Sequence, residues 1–464
     1  MHRRGMRRGV AIAVAGIALA AASPSLAAQD IQGITVEQAS RLAQSSVEAI
    51  RMRELAVQKA RLAVDEAAGG AWPHVDLQVS GSYLVNPPSG YTVKAGALGG
   101  PPLIPLSLPL EDFTIGAQLH DYFSVSASLS QPLFTWGKIR NAIEAAALRV
   151  DAAGTDLVGQ RRDIERDVRR AYFSALLAGE SEKVLRRIAE SAALIVADRR
   201  IGLDEGSLTR ESVLEAQSQS ARIESRFVEA EQGKATALEN LGVLTGLDPS
   251  GITLASGFAD DLPSLDEQSL RVKARDASVD IAASRTRQGL ARKKLDIERG
   301  GSILRPDVSL GMSLSVTGQE DLPYSALQWN ASTWNWDLVI SVGVKMSVFD
   351  GMESAARIGQ AEKDVEIAGQ ALLQAEKLTR LAVRNATDAA IKAEADLAEK
   401  RAQEAWAAER LRNAQVSADN GMASREDLHG AQILLGTAQL DRLLAQFTRE
   451  QARADIARLT GETR

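Results

Sequence analysis

The sequence predicts a mixed α and β membrane protein in which one plan of strands and long helices is laid out twice along the chain. Three observations carry that prediction. Two long tracts lack proline, four short segments alternate in polarity, and the two halves align without a gap at an offset of about 215 residues.

The helical tracts come first. No proline occurs between Pro132 and Pro249, or after Pro323. Proline is strongly disfavoured inside helices, and both tracts are rich in Ala, Leu, Glu, Arg and Gln, which favour them. From Gly137 to about Gly202 little stops a helix, and at 1.5 Å per residue that spans roughly 100 Å. The repeat runs through both tracts. Phe134 matches Phe349, and Ile143, Ala146, Val150, Ala153 and Leu157 match Ile358, Ala361, Val365, Ala368 and Leu372. "EGSLTRESVLEAQ" (Glu205 to Gln217) matches "NGMASREDLHGAQ" (Asn420 to Gln432), and "LTG" recurs at Leu244 and Leu459. The three-then-four spacing of the seam is that of a left-handed coiled coil; an ordinary bundle core shows the same spacing.

Upstream of each tract lie two alternating segments. Val75, Leu77, Val79 and Tyr83 oppose Asp76, Gln78, Ser80 and Ser82; Val125, Ala127 and Leu129 oppose Ser126, Ser128 and Ser130. Val308, Leu310, Met312, Leu314 and Val316 oppose Ser309, Gly311, Ser313 and Ser315, and a fourth strand precedes Phe349. An apolar face, a Ser-rich face and a length of about ten residues suit a transmembrane barrel strand, although a half-buried strand of a soluble sheet alternates too. Thirteen of the 19 aromatic residues lie in or beside these segments, among them Trp72, Tyr122, Phe123, Trp136, Trp329, Trp334 and Trp336, which favours the membrane interface. Four strands cannot close a barrel, and lipid tolerates no open edge. The barrel is therefore expected to be shared between copies, and three copies supply twelve strands.

The remaining segments complete the layout. Arg3, Arg4, Arg7 and Arg8 precede an apolar run from Val10 to Ala22 and a small-residue cleavage site at Ser25-Leu26-Ala27, a pattern of export. The expected boundaries are a signal over 1–27, a leading helix over 28–71, a hairpin over 72–134 and a helical segment over 135–246. A linker and second leading helix follow over 247–303, then a hairpin over 304–349 and a helical segment over 350–464. Thr35-x-x-Gln38 and Ser264-x-x-Glu267 are capping-box patterns for the two leading helices. The first hairpin carries about 18 extra residues, with "NPPSG" and "GGPPLIPLSLP", and reads as a long external loop.

Composition excludes several classes. With no Cys, neither a disulfide framework nor a lipidated cysteine is expected. A net charge of −6 with scattered basic residues gives no footprint for nucleic acid. There is no phosphate-cradling Gly loop, nucleophile elbow or metal-spaced cluster. His74, His120 and His429 stand alone and read as surface residues, so neither an enzyme nor a cofactor is expected.

The junctions "QPLFTWGK" and "MSVFDGME", the two "G-x-x-[ST]-R-E-x-[VL]-x-x-A-Q" turns and the duplicated order of elements resemble the TolC-type outer-membrane efflux and secretion channels of Gram-negative bacteria. The resemblance covers essentially the whole chain after the signal. It implies a homotrimer whose twelve-stranded barrel, set in outer-membrane lipid, continues into a long α-helical barrel across the periplasm. It also implies a periplasmic adaptor docked at the helix tips and an inner-membrane transporter beneath. Phe134, Gly137, Phe349 and Gly351 then mark the strand-to-helix junctions, and Gly206 and Gly421 the tip turns.

The periplasmic gate is expected at Thr209, Arg210 and Glu211 in one tip and at Ser424, Arg425, Glu426 and Asp427 in the other. Asp427 matches an acidic ring position of the family, but Gly430 stands where a second ring aspartate is often found, and Ala423 where some members carry a locking Arg. A lock here would rest on neighbours such as Arg425 and Glu426. Asp427 three residues after Ser424 is equally a helix-capping pattern. The competing readings of the whole chain are a periplasmic adaptor and a coiled-coil scaffold without a pore. The duplication weighs against the first, and the alternating strands weigh against the second.

Overall fold

The structure, a computed structural model, describes residues 33–86, 91–94, 113–115, 121–259, 265–319 and 334–462. The expected signal, most of the proline-rich external loop, and His120 lie outside the described residues. The first half contains α1 (Val36–Ser46), α2 (Glu48–Gly69), β1 (His74–Tyr83), β2 (Tyr91–Val93), β3 (Phe113–Ile115), β4 (Asp121–Phe134), α3 (Lys138–Asp204) and α4 (Arg210–Thr245). The second contains α5 (Glu267–Ala277), α6 (Val279–Gly300), β5 (Asp307–Gln319), β6 (Trp334–Lys345), α7 (Glu353–Asp419) and α8 (Arg425–Thr460). Helices α3 and α7 are each 67 residues long, as the uninterrupted tracts predict.

Each leading helix is two helices, not the one that the sequence suggests. The chain becomes extended at Val47 (φ −79, ψ 120) and at Ser278 (φ −62, ψ 118). The first break lets α1 bury Val36, Ala39 and Ala43 around Tyr172 while α2 runs on along α3. The Thr35–Gln38 capping box forms. Ser264 of the second expected box lies outside the described residues; Glu267 is the first residue of α5, and Asp266 caps it by accepting from the backbone N–H groups of Gln268 and Ser269 at 3.3 and 3.2 Å.

The four long strands form one antiparallel sheet in the order β1-β4-β5-β6. Its register sorts polarity into rows. Gln78, Ser126, Ser315 and Asp337 align on one face, and Val79, Val125, Val316 and Trp336 on the other. Leu77, Val79, Trp336 and Val342 stand exposed, and the outer edges of β1 and β6 have no partner strand among the described residues. Strand β4 reaches Phe134, but β6 stops at Lys345, so Phe349 lies beyond its strand rather than at its end.

The strand-to-helix junction turns through two successive left-handed residues, Trp136 (φ 51) with Gly137 (φ 77), and Gly351 (φ 65) with Met352 (φ 71). A bulky residue at positive φ is strained, and Trp136 is held there by its surroundings. Its indole N–H donates to the Pro306 carbonyl at 2.9 Å, Arg305 lies over its ring at 5.4 Å, and Phe134 meets it edge-on at 5.1 Å. Lys138 pairs with Asp307, which ties the start of α3 to the sheet.

Below the sheet, the segment joining the two halves straps the bundle. Ile34 and Leu254 form a parallel bridge, and Phe258 stacks on Phe173 at 5.7 Å. The buried Tyr172 hydroxyl donates to the Ile34 carbonyl at 2.9 Å and accepts from the Ser256 N–H at 2.7 Å. Farther along, the Ala259 N–H donates to Glu450 at 3.2 Å; burial pushes that carboxyl up, against the opposing pull of Arg453 and Arg449. Among the described residues no helix is long and apolar enough to cross a membrane. Tyr172→Phe leaves the Ser256 N–H without its partner, although the Ile34 carbonyl keeps the Ala255 N–H at 2.9 Å, and is expected to cost about 1–3 kcal/mol. A lowered thermal unfolding midpoint of the purified protein checks this, and an unchanged one would discard the strap as a stabilising element.

Candidate functional site

Both long hairpins turn back in the same way. Gly206 (φ 75) and Gly421 (φ 71) take the left-handed conformation that closes a helix without a Cβ penalty. The N–H groups of Gly206 and Ser207 donate to the carbonyls of Leu203 and Gly202 at 3.0 and 2.8 Å. Those of Gly421 and Met422 donate to Ala418 and Ser417 at 2.9 and 2.7 Å. Thr209 then caps α4, its hydroxyl accepting from the Ser212 N–H at 3.3 Å. Ser424 caps α8 with a complete capping box: its hydroxyl accepts from the Asp427 N–H at 3.1 Å, and its own N–H donates to Asp427 Oδ2 at 3.0 Å. Hydrogen bonds from the Ser424 hydroxyl and then its backbone hold the Asp427 carboxyl below its ordinary range. Both land on Oδ2, so capping engages one oxygen of an exposed side chain.

Within one chain the two tips meet through α3 and α8. Arg199 Nη2 donates to Glu426 Oε1 at 2.6 Å and Nε to the same oxygen at 3.1 Å. Its Nη1 reaches the Ser212 carbonyl at 2.9 Å and Glu215 at 3.3 Å, so one guanidinium gathers α3, α4 and α8. Asp198 lies 3.8 Å from Arg425 and 3.9 Å from His429 Nε2. His429 is not the surface residue that its isolation in sequence suggests: its side chain is 12% exposed, between α3 and α8. Its Nδ1 lies 3.1 Å from Gln432 Oε1, which also accepts from the Ser191 hydroxyl at 3.1 Å. Higher up, Ile188 fills a notch over Gly436, where a Cβ would come within 2.5 Å of it.

Of the expected gate residues, Arg425 and Glu426 are brought against α3, while Thr209, Ser424 and Asp427 cap helices. Arg210 and Glu211 are exposed and make no ion pair among the described residues. Sequence reasoning missed Asp198, Arg199, Glu215 and His429. The run "ADRR" near the end of α3 was the available signal, but its partner Glu426 is 227 positions away. Among the described residues no group of three or more His, Cys, Asp or Glu could hold a metal ion.

The Arg199–Glu426 contact is partly exposed, so Arg199→Ala is expected to release about 1 kcal/mol, a roughly fivefold rise in separated tips. Distance distributions between spin labels on the ends of α3 and α8 would broaden. Distributions matching the wild type would mean the clamp holds nothing.

The fold is shared with solved proteins. A membrane protein from Pseudomonas aeruginosa superimposes with a TM-score of 0.71 at 18% identity, covering 92% of this chain and 93% of that one. The Campylobacter jejuni CmeC outer membrane channel gives 0.72 at 16% identity, covering 92% and 85%. In sequence, the cobalt-zinc-cadmium resistance protein CzcC of Cupriavidus metallidurans is 26% identical over 242 residues, 51% of this chain and 54% of that protein. The chain thus spans about half the length of the curated relative it matches. The outer membrane efflux protein family matches residues 39–247 and 270–462, which is most of both halves including all four long helices. The chain belongs to the outer membrane efflux protein family.

Proposed function

We propose that this chain is the outer-membrane exit duct of a tripartite efflux or type I secretion system. Three copies share a twelve-stranded barrel in the outer membrane and a helical tunnel reaching into the periplasm. The observation that carries the reading is the sheet. Its edges on β1 and β6 need partners, one face is apolar and exposed, and the other is a ladder of Ser, Gln and Asp. Backbone edges cannot remain unpaired in hydrocarbon, and strands of 10 to 14 residues suit a tilted crossing of a bilayer. The polar ladder lines a wet lumen, which conducts without covalent chemistry.

The tips form the periplasmic gate and the docking point for an adaptor joined to an inner-membrane transporter. Arg425 and Glu426 hold the closed tip to α3, and Asp427 offers its second oxygen to the lumen. Thr209, Arg210, Glu211 and Ser424 shape the turns. An N-terminal signal delivers the chain to the outer membrane. Cobalt, zinc and cadmium, named for the curated relative, are the first cargo to assay.

Fractionation with intact-mass measurement of the detergent-extracted protein tests the reading. The expected species is a trimer of signal-free chains in the outer membrane. A soluble periplasmic species would sink it in favour of an adaptor or scaffold. Asp427→Ala is expected to weaken cation preference in single-channel reversal potentials, and potentials identical to the wild type would remove Asp427 from the gate.

A further inference from the structure

Where the strands pass into helices, the apolar surface runs on past the end of the sheet. On β6, Trp336, Leu338, Ile340, Val342 and Val344 occupy the apolar face. Beyond Lys345 the chain leaves the ladder, yet Val348, Phe349 and Met352 stand 69%, 77% and 66% exposed. Leu304, across from them, is 65% exposed, and its N–H donates to the Ser347 carbonyl at 3.2 Å. It is held at φ 64, a strained conformation for a bulky residue. Strain of this kind gathers at binding surfaces, and here the strained residue presents an apolar side chain that is largely uncovered.

Most cations flanking this patch are neutralised within the chain. Lys138 meets Asp307, Arg140 meets Glu144, Arg299 meets Glu362, and Arg357 meets Glu298 and Glu353. Lys345 and Arg305 make no ion pair among the described residues. Lys345 lies opposite Asp307 in the β5–β6 register, on the polar face. Arg305 instead stacks over the Trp136 ring at 5.4 Å, while the indole N–H is taken by the Pro306 carbonyl. Stacking occupies the flat face of a guanidinium and leaves free its N–H edge, the side that grips two oxygens of a phosphate.

The repeat separates this pair from the needs of the turn. Aligned on Phe134 and Phe349, Trp136 corresponds to Gly351; aligned on Pro306 and Pro73, Arg305 corresponds to Trp72. The second junction therefore turns through its own two left-handed residues without an indole under a guanidinium. The stacked pair serves something besides the turn.

We propose that Arg305, stacked on Trp136, binds the phosphate of an anionic phospholipid in the periplasmic leaflet, with Leu304, Val348, Phe349 and Met352 dipping into the acyl chains beside it. A lipid is the occupant because the patch is continuous with the apolar face that the barrel turns to the bilayer. It also ends where a free cation adjoins apolar side chains, as at the boundary between acyl chains and phosphates. Such a contact in every copy sets the depth of the barrel and holds the roots of the long helices at the membrane surface. The inference rests on the barrel lying in a bilayer and not on what the duct conducts.

The chain contains no cysteine, so single labels report cleanly. Spin labels at Phe349→Cys, Ile340→Cys and Met422→Cys, in nanodiscs of phosphatidylcholine and phosphatidylglycerol, are read for collisions with oxygen and with a water-soluble nickel chelate. Oxygen is expected to dominate at 349 and at 340 in mid-strand, and nickel at the exposed tip residue 422. Water at 349 with lipid at 340 would overturn the junction contact alone; water at both would remove the bilayer-embedded barrel with it. Native mass spectrometry of the detergent-extracted protein with added phosphatidylglycerol tests the phosphate site. The parent is expected to retain lipid, and Arg305→Ala to retain it about fivefold more weakly. Arg305→Lys, which keeps the charge but loses the fork, is expected to fall between them. No retention by the parent, or equal retention by Arg305→Ala, would overturn the phosphate site.

Discussion

The outer edges of β1 and β6 set the terms for the rest of the molecule. Each carries backbone N–H and C=O groups with no partner strand in the described chain. In water such an edge is a liability; in hydrocarbon it is prohibitive, because each unsatisfied group costs several kcal/mol. A sheet of four strands with an apolar outer face is therefore only part of a structure. Its completion by further copies makes the lumen, and the polar rows through Ser126 and Ser315 gain a purpose only once the sheet is closed.

The junction transmits that closure to the helices. Trp136 accepts a strained backbone because its indole N–H, its ring face and its ring edge are all occupied, by Pro306, Arg305 and Phe134. With Lys138 paired to Asp307, the direction of α3 is set by the sheet. Copies joined at their strands thereby bring their long helices side by side. The strap through Tyr172, Phe173 and Phe258 binds the two halves of one chain at mid-height.

Duplication makes two hairpins from one plan, and divergence then assigns them different work. The caps and left-handed glycines are the same in both tips, because any helical hairpin of this design needs them. The charges differ. Arg199 collects Glu426, Glu215 and the Ser212 carbonyl, whereas Ala414 at the corresponding position can collect nothing. One joint has become a clamp, and its counterpart in the repeat lacks the charges to form one.

Local and periodic features were legible in the sequence: the two 67-residue helices, the alternating faces of the strands, the Thr35 capping box and the tip glycines. Each depends on residues a few positions apart, so spacing alone encodes it. The breaks at Val47 and Ser278 were not legible, since the first serves packing of α1 around Tyr172 and the second packing of α5 against α7 and α8. Nor were the Arg199–Glu426 clamp and the burial of His429 between α3 and α8. By itself the sequence determined what each segment is and that the plan occurs twice. Only the tertiary structure decided that the two tips of one chain are clamped to each other, because a contact between residues 227 apart depends on how whole helices pack.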